Sequence, residues 1–462
     1  MSAEDDHDVD VDVVVAGAGA GGLAAALSAA EAGRSVLVVE ARESFRHGCN
    51  TAMSTAMVPA GGSRWQAAAG IEDSPQRFLD DVRRKTGGRA DPDVALALTR
   101  VAPTLVGWLA DRCGLPLELV TDFDYPGHSR RRCHTVPDRS GATLHRLLLE
   151  AVAGDERIDL LVPRRLVDVT TDPVGTVTGV RLQAPGGAGE EISAAAVVLA
   201  TNGFGANPEL VRRHLPGIAD GLYFGGDGST GDALAVGDRL GADLACLDAY
   251  QGHGSVAVPH GVLLTWAAVM HGGVLVNADG ARFGDESTGY SEFAGLVLRQ
   301  PGATAWVVYD ERIDSACAAF ADYRRCVEAG AIRRADDVDQ LAALVGARSA
   351  VLGQTLADAS AAAVGAAPDR WGRTHWEAPL APPYLAVKVT GALFHTQGGL
   401  RVDQQARVLR AGTPVGGLYA VGGAAVGMSG HGADGYLAGN GLLAALGLGY
   451  LAGRHVATEG NP

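Results

Sequence analysis

The sequence has few aromatic residues and few cysteines. Aromatic residues make up 5% of the 462 residues, and the six cysteines form no Cys-x-x-Cys pair. A chain of this length does not need disulfides to be stable, and the cysteine spacing matches no zinc site. We therefore predict reduced thiols, no disulfide framework and no metal site.

An excess of positive charge is also absent, because the formal net charge is -15. An acidic surface repels nucleic acid and anionic lipid, so we exclude nucleic acid as a partner. No run of about 18 uncharged apolar residues occurs, which predicts no membrane span. The polar, acidic segment Met1–Asp12 does not resemble a signal peptide, so we expect a cytoplasmic protein.

Glycine is abundant, at 64 residues, and 47% of the chain is hydrophobic. A chain of this size and composition can build a large core and usually forms more than one domain. The glycines lie inside apolar, patterned segments. They therefore indicate tight turns and close backbone approaches, as nucleotide-binding folds require, rather than disorder.

The N-terminal segment has the order strand, glycine-rich turn, helix, strand. Asp12–Ala16 and Ser35–Val39 are β-branched apolar runs, and Leu23–Ala32 is an alanine-rich helical pattern between them. A G-x-G-x-x-G turn joins the first run to the helix. This order and length are typical of a βαβ dinucleotide-binding unit.

Each residue of the turn has a predicted role in binding a dinucleotide. Gly17 permits the tight turn, Gly19 lets the backbone approach a pyrophosphate, and Gly22 lets the helix pack on the strand. Glu40, at the end of the second strand, should accept hydrogen bonds from the adenosine ribose hydroxyls. The alternative is a tight strand–turn–helix unit that binds no ligand.

A second glycine-rich strand near the C-terminus favours a flavin over a nicotinamide. Gly417–Ala420 is an apolar run followed by Gly422-Gly423, and the final helix, Gly441–Arg454, starts at Gly439-Asn440-Gly441. The positive end of that helix suits the flavin C2 carbonyl, which gains negative charge on reduction. The alternative is a helix that only packs against the core.

The pattern between these two regions predicts an inserted domain. From Ala242 to Ala378 the chain has short strands, aromatic loops and a helical stretch at Ala335–Val364, and strands resume at Tyr384–Val389 after Pro382-Pro383. We predict an α/β fold with a discontinuous dinucleotide-binding domain, 1–241 and 379–462. Residues 242–378 form an inserted α+β substrate domain.

Several motifs along the chain resemble those of the fumarate reductase/succinate dehydrogenase flavoprotein superfamily. They are VVVAGAGAGG, ATNGFGANPEL, GGDGSTGDAL, GGVLVNADGARFGDES, HTQGGLRVD and GLYAVGG. The resemblance implies FAD, a Rossmann-type FAD-binding domain and a capping domain over the substrate. It also implies cofactor contacts beyond the first turn, from Asn50, Thr51, Gly203, Asp232, Gly423, Asn440 and Leu442.

The sequence departs from fumarate reductases at the residues that carry their chemistry. The resemblance places their acid arginine at Tyr290 and their substrate-binding arginine at Tyr436. The glutamate and arginine of their proton relay fall at Trp266 and Val269, which cannot carry protons.

Both tyrosines resemble the 3-ketosteroid Δ1-dehydrogenase branch of the same superfamily. There one tyrosine removes the proton alpha to a ketone, the other hydrogen-bonds the ketone oxygen, and flavin N5 takes hydride from the beta carbon. The resemblance implies that Tyr290 is the base, that Tyr436 polarises the ketone, and that Tyr125 assists the base. That branch has glycine where this chain has Asn440, whose amide is a predicted substitute for the backbone contact.

The chemistry of phenol supports the same hypothesis. A phenol has a pKa of about 10, so it needs a neighbouring cation, dipole or second phenol to act as a base. It suits an alpha-proton made acidic by a polarised ketone, and a neutral phenol is a good donor to the developing enolate. The alternative for Tyr290 and Tyr436 is a half-buried aromatic with a satisfied hydroxyl. The alternative for Tyr125 is a surface loop with solvated arginines.

Two histidines point to a polar substrate. His253 and His395 match the carboxylate-binding histidines of fumarate reductases, and ketosteroid dehydrogenases have no histidine at the second position. If both bind substrate, a small cyclic keto acid such as 4-oxocyclohexanecarboxylate fits better than a steroid. The alternative is a loop histidine bonded to the backbone.

We therefore predict a ketone α,β-desaturase that passes electrons to an external acceptor, a quinone or oxygen. One alternative is a reductase of activated double bonds, which runs the same hydride step backwards. Another is a flavoprotein subunit of a larger redox assembly. Membrane-bound relatives attach FAD through a histidine, but that position aligns with Cys49, and His47 lies two residues earlier. We therefore predict non-covalent FAD.

Overall fold

The computed structural model describes residues 10–122 and 124–459. The signal-peptide prediction rests on Met1–Asp12, so most of that segment lies outside the described residues. Within them, one helix, Pro92–Asp111, is long and apolar enough to cross a membrane, and 56% of its apolar window is buried in the protein. A core helix has the same properties, and this one packs against the C-terminal helix Asn440–Glu459.

An eight-stranded sheet contains the predicted βαβ unit. In spatial order its strands are Arg407–Arg410, Thr413–Ala420, Gly189–Leu199, Val11–Ala16, Val36–Val39 and Ile158–Leu161, and the hairpin formed by Arg165–Thr171 and Val177–Gln183 joins Gly189–Leu199. The pairs from Thr413–Ala420 to Ile158–Leu161 are parallel. Val13, Val14 and Val15 have no exposed surface, as expected for a parallel strand covered on both faces.

The helices of this part of the molecule lie outside the second sheet, and the first of them packs on the strands Val11–Ala16 and Val36–Val39. They include Ala20–Glu31, Phe45–Gly48, Arg64–Ala68, Pro75–Thr86, Pro92–Asp111, Gly141–Ala153, Pro208–His214, Asp232–Leu240 and Asn440–Glu459. The first and last of these pack closely because small residues line their contact. A Cβ at Gly449 would lie 2.3 Å from the Gly21 carbonyl oxygen. This contact brings the two helix N-termini toward one cavity.

A seven-stranded sheet, the capping sheet, forms the second layer. Its path is Val262–Leu263, Tyr250–Ala257, Tyr384–Thr396, Thr304–Asp310 and Val274–Val276, and Leu222–Tyr223 and Arg333–Ala335 also pair with Tyr384–Thr396. Around it lie the helices Ala267–Met270, Tyr290–Leu298, Glu311–Cys317, Ala321–Glu328, Val338–Val345 and Ser349–Ala363. Two small sheets pair Leu244–Ala245 with Gly399–Leu400, and Cys133–Thr135 with Val58–Pro59 and Glu118–Leu119.

The capping sheet extends beyond the predicted insert, 242–378. Its central strand, Tyr384–Thr396, and the short strand Leu222–Tyr223 both lie outside that range. The prolines at 382–383 do not end the capping layer, because pairing with Thr304–Asp310 begins at the very next residue, Tyr384. An apolar strand covered on both faces carries no alternation that would assign it to one sheet or the other.

Candidate active site

The glycine-rich turn closes against the neighbouring strand. Gly17 has φ +116, and a Cβ there would lie 2.3 Å from the Ala200 carbonyl oxygen. A Cβ at Gly22 would lie 1.9 Å from the Gly17 carbonyl oxygen. Thr51 Oγ1 accepts a hydrogen bond from the Ala20 amide at 2.9 Å, which ties the helix start to the next loop. Only glycine therefore fits at 17 and 22 without moving the backbone.

Glu40 lies where the second strand ends. Its carboxylate accepts hydrogen bonds from the backbone amides of Ala18, at 3.0 Å, and Arg42, at 2.9 Å. These bonds hold the carboxylate beside the glycine-rich turn, where the ribose contact is predicted.

Other predicted cofactor residues are fixed by local hydrogen bonds. Asn50 Oδ1 accepts from the Gly226 amide at 2.5 Å, and Asp232 accepts from Arg165 at 2.7 Å and from the Thr230 hydroxyl at 2.8 Å. Gly203 is needed for packing, because a Cβ there would lie 1.8 Å from Thr396 Oγ1.

One continuous cavity connects these residues with the predicted catalytic tyrosines. Of the predicted cofactor residues, those that line it are Gly17, Gly19, Glu40, Asn50, Thr51, Asp232, Gly423 and Leu442. Gly22, Gly203 and Asn440 are not among the lining residues. We call the part around Glu40 the dinucleotide end and the part around Tyr290 the tyrosine end.

The dinucleotide end has the chemistry that FAD requires. It presents backbone amides of a tight turn at the N-terminus of a helix, which favour a pyrophosphate. The buried Thr201 hydroxyl, which lines the cavity, has no hydrogen-bond partner among the described residues. Gly441 and Leu442, in the first turn of the last helix, line the same cavity and suit the flavin carbonyl. The residues present therefore fit the cofactor.

Tyr290 and Tyr436 meet at the tyrosine end. Their ring centroids are 5.8 Å apart and their planes are inclined at 62°. Tyr290 is the first residue of the helix Tyr290–Leu298, after Gly289 at φ +141, and Tyr436 lies just before the last helix. Tyr125 lines the same cavity. The structure therefore brings together the three phenols that the sequence places far apart.

Burial makes all three phenols hard to ionise. It raises the pKa of Tyr290 well above the usual value, and neighbouring Tyr436 and Tyr125 raise it further. Burial also raises the pKa of Tyr125 well above its usual range. The pKa of Tyr436 is raised by burial too, but hydrogen bonds from the Gly441 amide and the Tyr290 side chain oppose this rise. Tyr436 is therefore supported as the donor to a developing negative charge.

His253 lies against Tyr290, with ring centroids 4.6 Å apart and planes 15° from parallel. The Ser255 hydroxyl donates to the Leu264 carbonyl at 2.7 Å, so its oxygen accepts from His253 Nδ1 at 3.0 Å. This assigns the proton to Nδ1 and leaves Nε2 as an acceptor. Burial lowers the pKa of His253 to about 3, so the ring is neutral at pH 7.

His395 lies beside the last helix and near Tyr436. Its ring centroid is 6.0 Å from that of Tyr436, and a Cβ at Gly441 would lie 2.7 Å from the imidazole. Burial lowers the pKa of His395 to about 4. Both histidines thus line the cavity as neutral rings. Among the described lining residues, the arginines are Arg42 and Arg164, which belong to the dinucleotide end with Glu40 and Leu166.

The structure does not bring the Asn440 side chain to the cavity as predicted. Asn440 is fully buried, and neither of its amide atoms has a partner within the described residues. The next residue, Gly441, lines the cavity instead, and its backbone amide lowers the pKa of Tyr436. The turn at Gly439, with φ +83, sets which of these residues faces the cavity.

The structure shows two cavity residues to which the sequence assigns no role in this protein. Trp266 is 5% exposed, and its ring centroid lies 6.3 Å from that of Tyr290. Asp322 is 9% exposed and lines the cavity with Tyr125. Asp322 carries no sequence signal, because an acid in an amphipathic helix has the pattern of a solvated residue.

Cys49, which aligns with the position of covalent attachment, lines the cavity as a thiol. Burial raises the pKa of Cys49, and its Sγ lies 3.9 Å from His145 Nδ1. The His145 Nε2 proton goes to the Ala18 carbonyl at 2.7 Å, so Nδ1 accepts from the thiol. A protonated thiol is a poor nucleophile, which supports the prediction of non-covalent FAD.

Comparison with known proteins agrees with this architecture. The FAD binding domain family matches residues 12–442. Probable fumarate reductase Ifc3 of Shewanella frigidimarina is 29% identical over 443 residues, which cover 94% of this chain and 73% of that protein.

Two solved structures are similar along nearly the whole chain. The open conformation of a flavocytochrome c3 fumarate reductase is 28% identical, with a TM-score of 0.78, over 97% of this chain and 78% of that chain. The 3-ketosteroid-Δ4-(5α)-dehydrogenase of Rhodococcus jostii RHA1, in complex with 4-androstene-3,17-dione, is 26% identical, with a TM-score of 0.75 and 99% coverage of both chains.

These findings confirm the predicted superfamily, α/β fold and FAD cofactor. The chain belongs to the FAD binding domain family and is an FAD-dependent oxidoreductase of the fumarate reductase flavoprotein superfamily.

Proposed function

We propose that the protein is a ketone α,β-desaturase. The observation that carries this proposal is the pair of phenols, Tyr290 and Tyr436, in the cavity that extends from the dinucleotide end. Their ring centroids are 5.8 Å apart. Tyr436 donates to the ketone oxygen, and Tyr290 removes the proton from the alpha carbon. Bound FAD supplies the hydride acceptor for the beta carbon.

The electrostatics of the tyrosine end support Tyr436 as the donor. Hydrogen bonds to Tyr436 lower its pKa relative to burial alone, and a more acidic phenol is a stronger donor to an enolate oxygen. Burial raises the pKa of Tyr290 well above its usual value, so Tyr290 can take the alpha-proton only if its own hydroxyl proton leaves as the alpha-proton arrives. Polarising the ketone lowers the barrier for the transfer of the alpha-proton to Tyr290.

The preferred substrate in this proposal is a small cyclic ketone. Trp266, Met270 and Phe394 give the tyrosine end apolar surface, and the histidines add polar contacts. A keto acid such as 4-oxocyclohexanecarboxylate would use those histidines. Because both rings are neutral, its carboxylate would have to raise an imidazole pKa on binding. A neutral ketone needs no such shift.

The second candidate is a reductase of activated double bonds, favoured by the 29% identity with a probable fumarate reductase. The same hydride and proton steps run in reverse, from reduced flavin and protonated Tyr290. For such a reductase, an enone is a better substrate than fumarate. Tyr290 and Tyr436 stand where fumarate reductases have arginines, and neutral phenols cannot bind two carboxylates by charge.

We also propose that the enzyme passes its electrons to an external acceptor, a quinone or oxygen, and that the protein is cytoplasmic. The division into an FAD-binding domain and a capping domain belongs to the same proposal. Here the capping domain includes Tyr384–Thr396, because that strand is the centre of the capping sheet.

Anaerobic flavin reduction tests the proposal. Purified holoenzyme is mixed with steroid ketones, cyclohexanones and 4-oxocyclohexanecarboxylate, and flavin bleaching is followed. We expect bleaching by a cyclic ketone. In the reverse arm, chemically reduced enzyme is mixed with enones and with fumarate. Rapid reoxidation by fumarate, without bleaching by any ketone, would overturn the desaturase proposal in favour of fumarate reduction.

A further inference from the structure

Lysine is rare in this chain. Two of the 38 basic residues are lysines, Lys85 and Lys388, and the rest are arginines. Lys388 is exposed on the capping strand Tyr384–Thr396. Lys85 lies in the last turn of the helix Pro75–Thr86, and its side chain is only 14% exposed. Lys85 is therefore the lysine that the fold encloses, and its contacts indicate a specific role.

The Lys85 ammonium binds the segment that carries Tyr290. Its Nζ donates to the Thr288 carbonyl at 2.9 Å and to Glu292 Oε1, and the Glu292 side chain is also 14% exposed. Thr288 precedes Tyr290 by two residues, and Glu292 follows it by two. One ammonium, a compact group with three donors, therefore holds the chain on both sides of the proposed base.

The helix Tyr290–Leu298 has no side-chain cap at its start. Its capping residue is Gly289, at φ +141, and Tyr290 is its first residue. A helix start leaves backbone amides without partners, so a start without a cap is less stable. The Glu292 carboxylate folds back over this start, because a Cβ at Gly289 would lie 2.6 Å from Glu292 Oε2. Lys85 keeps the carboxylate there, where it suits the positive end of the helix.

The same helix end that carries Lys85 lies against the segment of Tyr436. Thr86 follows Lys85, and a Cβ at Gly435, next to Tyr436, would lie 3.1 Å from Thr86 Cγ2. Lys85 thus binds the segment of Tyr290, while Thr86 contacts the segment of Tyr436. The relative position of the two phenols therefore depends on this helix end.

The proposed reaction is sensitive to that relative position. The ketone oxygen binds Tyr436, so the spacing of the two phenols sets the distance from the alpha carbon to Tyr290. A misplacement of about 1 Å can slow a reaction by a factor on the order of 10². The half-buried Tyr290 therefore needs a fixed backbone behind it.

We propose that Lys85 is a positioning residue for Tyr290, acting through the Thr288 carbonyl and the Glu292 carboxylate. This inference rests on the proposed desaturase function. Lys85 is not among the residues that line the cavity, so it acts on the reaction through Tyr290 alone. Its removal should slow the transfer of the alpha-proton and leave the contact between the ketone and Tyr436 intact.

The first test is Lys85→Met in the holoenzyme, which removes the ammonium and keeps an unbranched apolar side chain. Lys388→Met, at the exposed lysine, is the matched control. In Lys85→Met we expect flavin reduction at saturating ketone to fall by a factor on the order of 10, with flavin content and ketone affinity unchanged. A reduction rate equal to that of Lys388→Met would overturn the proposal, as would a changed affinity with an unchanged rate.

A double substitution separates positioning from general support of the fold. If Lys85 acts through Tyr290, Lys85→Met should cause no further loss of rate in Tyr290→Phe, because the hydroxyl that it positions is gone. A further loss by the same factor would show that Lys85 acts elsewhere and would overturn the proposal. Failure of the wild-type flavin to bleach with any ketone would instead count against the desaturase proposal.

Amide hydrogen exchange tests the same contact without turnover. In the first helical turn the Phe293 amide donates to the Gly289 carbonyl at 3.3 Å. Exchange across residues 288–293 should be faster in Lys85→Met than in the wild type and unchanged in Lys388→Met. Glu292→Gln, which removes the charge and keeps the shape, should also exchange faster, and it serves if Lys85→Met does not fold. Equal exchange in the folded variants and the wild type would overturn the proposal whatever the substrate.

Discussion

The two ends of the cavity are built in different ways. The dinucleotide end is made from backbone: Gly17 and Gly22 allow contacts that no side chain permits, and Glu40 is held by two amides. The tyrosine end is made from side chains that come from distant parts of the chain, such as Tyr125 and Tyr436. A cofactor shared by a whole superfamily is therefore recognised by local backbone geometry, whereas the substrate is recognised by a set of side chains that can change one at a time.

This contrast predicts that variants at the two ends fail in different ways. A change at the tyrosine end should alter the rate at which bound flavin is reduced and leave the flavin content of the protein intact. A change at the dinucleotide end should lower the flavin content and the stability of the protein. Any flavin that still binds should then be reduced at the wild-type rate.

Tyr290→Phe should have the largest effect on rate. Without the hydroxyl, the alpha-proton has no acceptor, so flavin reduction should fall by a factor on the order of 10²–10⁴, with FAD and ketone binding retained. Stopped-flow bleaching at saturating ketone measures this. Tyr250→Phe, on the capping sheet but not among the cavity-lining residues, is the control. A normal rate in Tyr290→Phe would refute the assignment of the base.

Tyr436→Phe should have the next largest effect, and of a different kind. Losing the donor to the ketone oxygen should slow flavin reduction by about 10²–10³ and weaken ketone binding as well, since the donor acts on both the substrate and the enolate. Titration of the flavin spectrum gives the affinity, and stopped-flow gives the rate. An effect on rate alone would mean that Tyr436 does not touch the bound ketone.

Gly22→Ala tests the dinucleotide end. Its Cβ would lie 1.9 Å from the Gly17 carbonyl oxygen, so the turn must move, at a cost of about 1–3 kcal/mol, and flavin should be lost on purification. Gly107→Ala is the matched helical control, because no atom lies within 4 Å of the added Cβ. Thermal unfolding and the ratio of flavin to protein absorbance measure both effects. Full flavin content in Gly22→Ala would remove the contrast between the two ends.

The same contrast explains what the sequence could predict. The βαβ unit and its glycines form one continuous segment, so the pattern alone locates them. The capping strand Tyr384–Thr396 could not be assigned, because its apolar pattern fits either sheet. Asn440 was expected at the cavity, but the backbone turn at Gly439 presents Gly441 instead. Asp322 was missed because its burial depends on residues that are remote in sequence.

The smallest predicted effect concerns the cavity-lining histidines, which among the described residues lie only at the tyrosine end. Burial lowers the pKa of His253 to about 3 and that of His395 to about 4, below the ordinary 6.5. The unfolded chain therefore binds protons first as the pH falls. Each histidine contributes stability that is complete above pH 6.5 and declines as the pH drops toward the folded pKa.

At pH 5.5 the loss should be about 1.4 kcal/mol per buried histidine, relative to pH 8. His395→Asn should therefore make the free energy of unfolding less dependent on pH between 8 and 5.5, as measured by denaturant titration. If a bound keto acid supplies a carboxylate to His395, adding that acid should flatten the wild-type curve as well, because the charged ring then gains a partner. A neutral ketone should leave the curve unchanged, so this measurement separates the two substrate classes without requiring turnover.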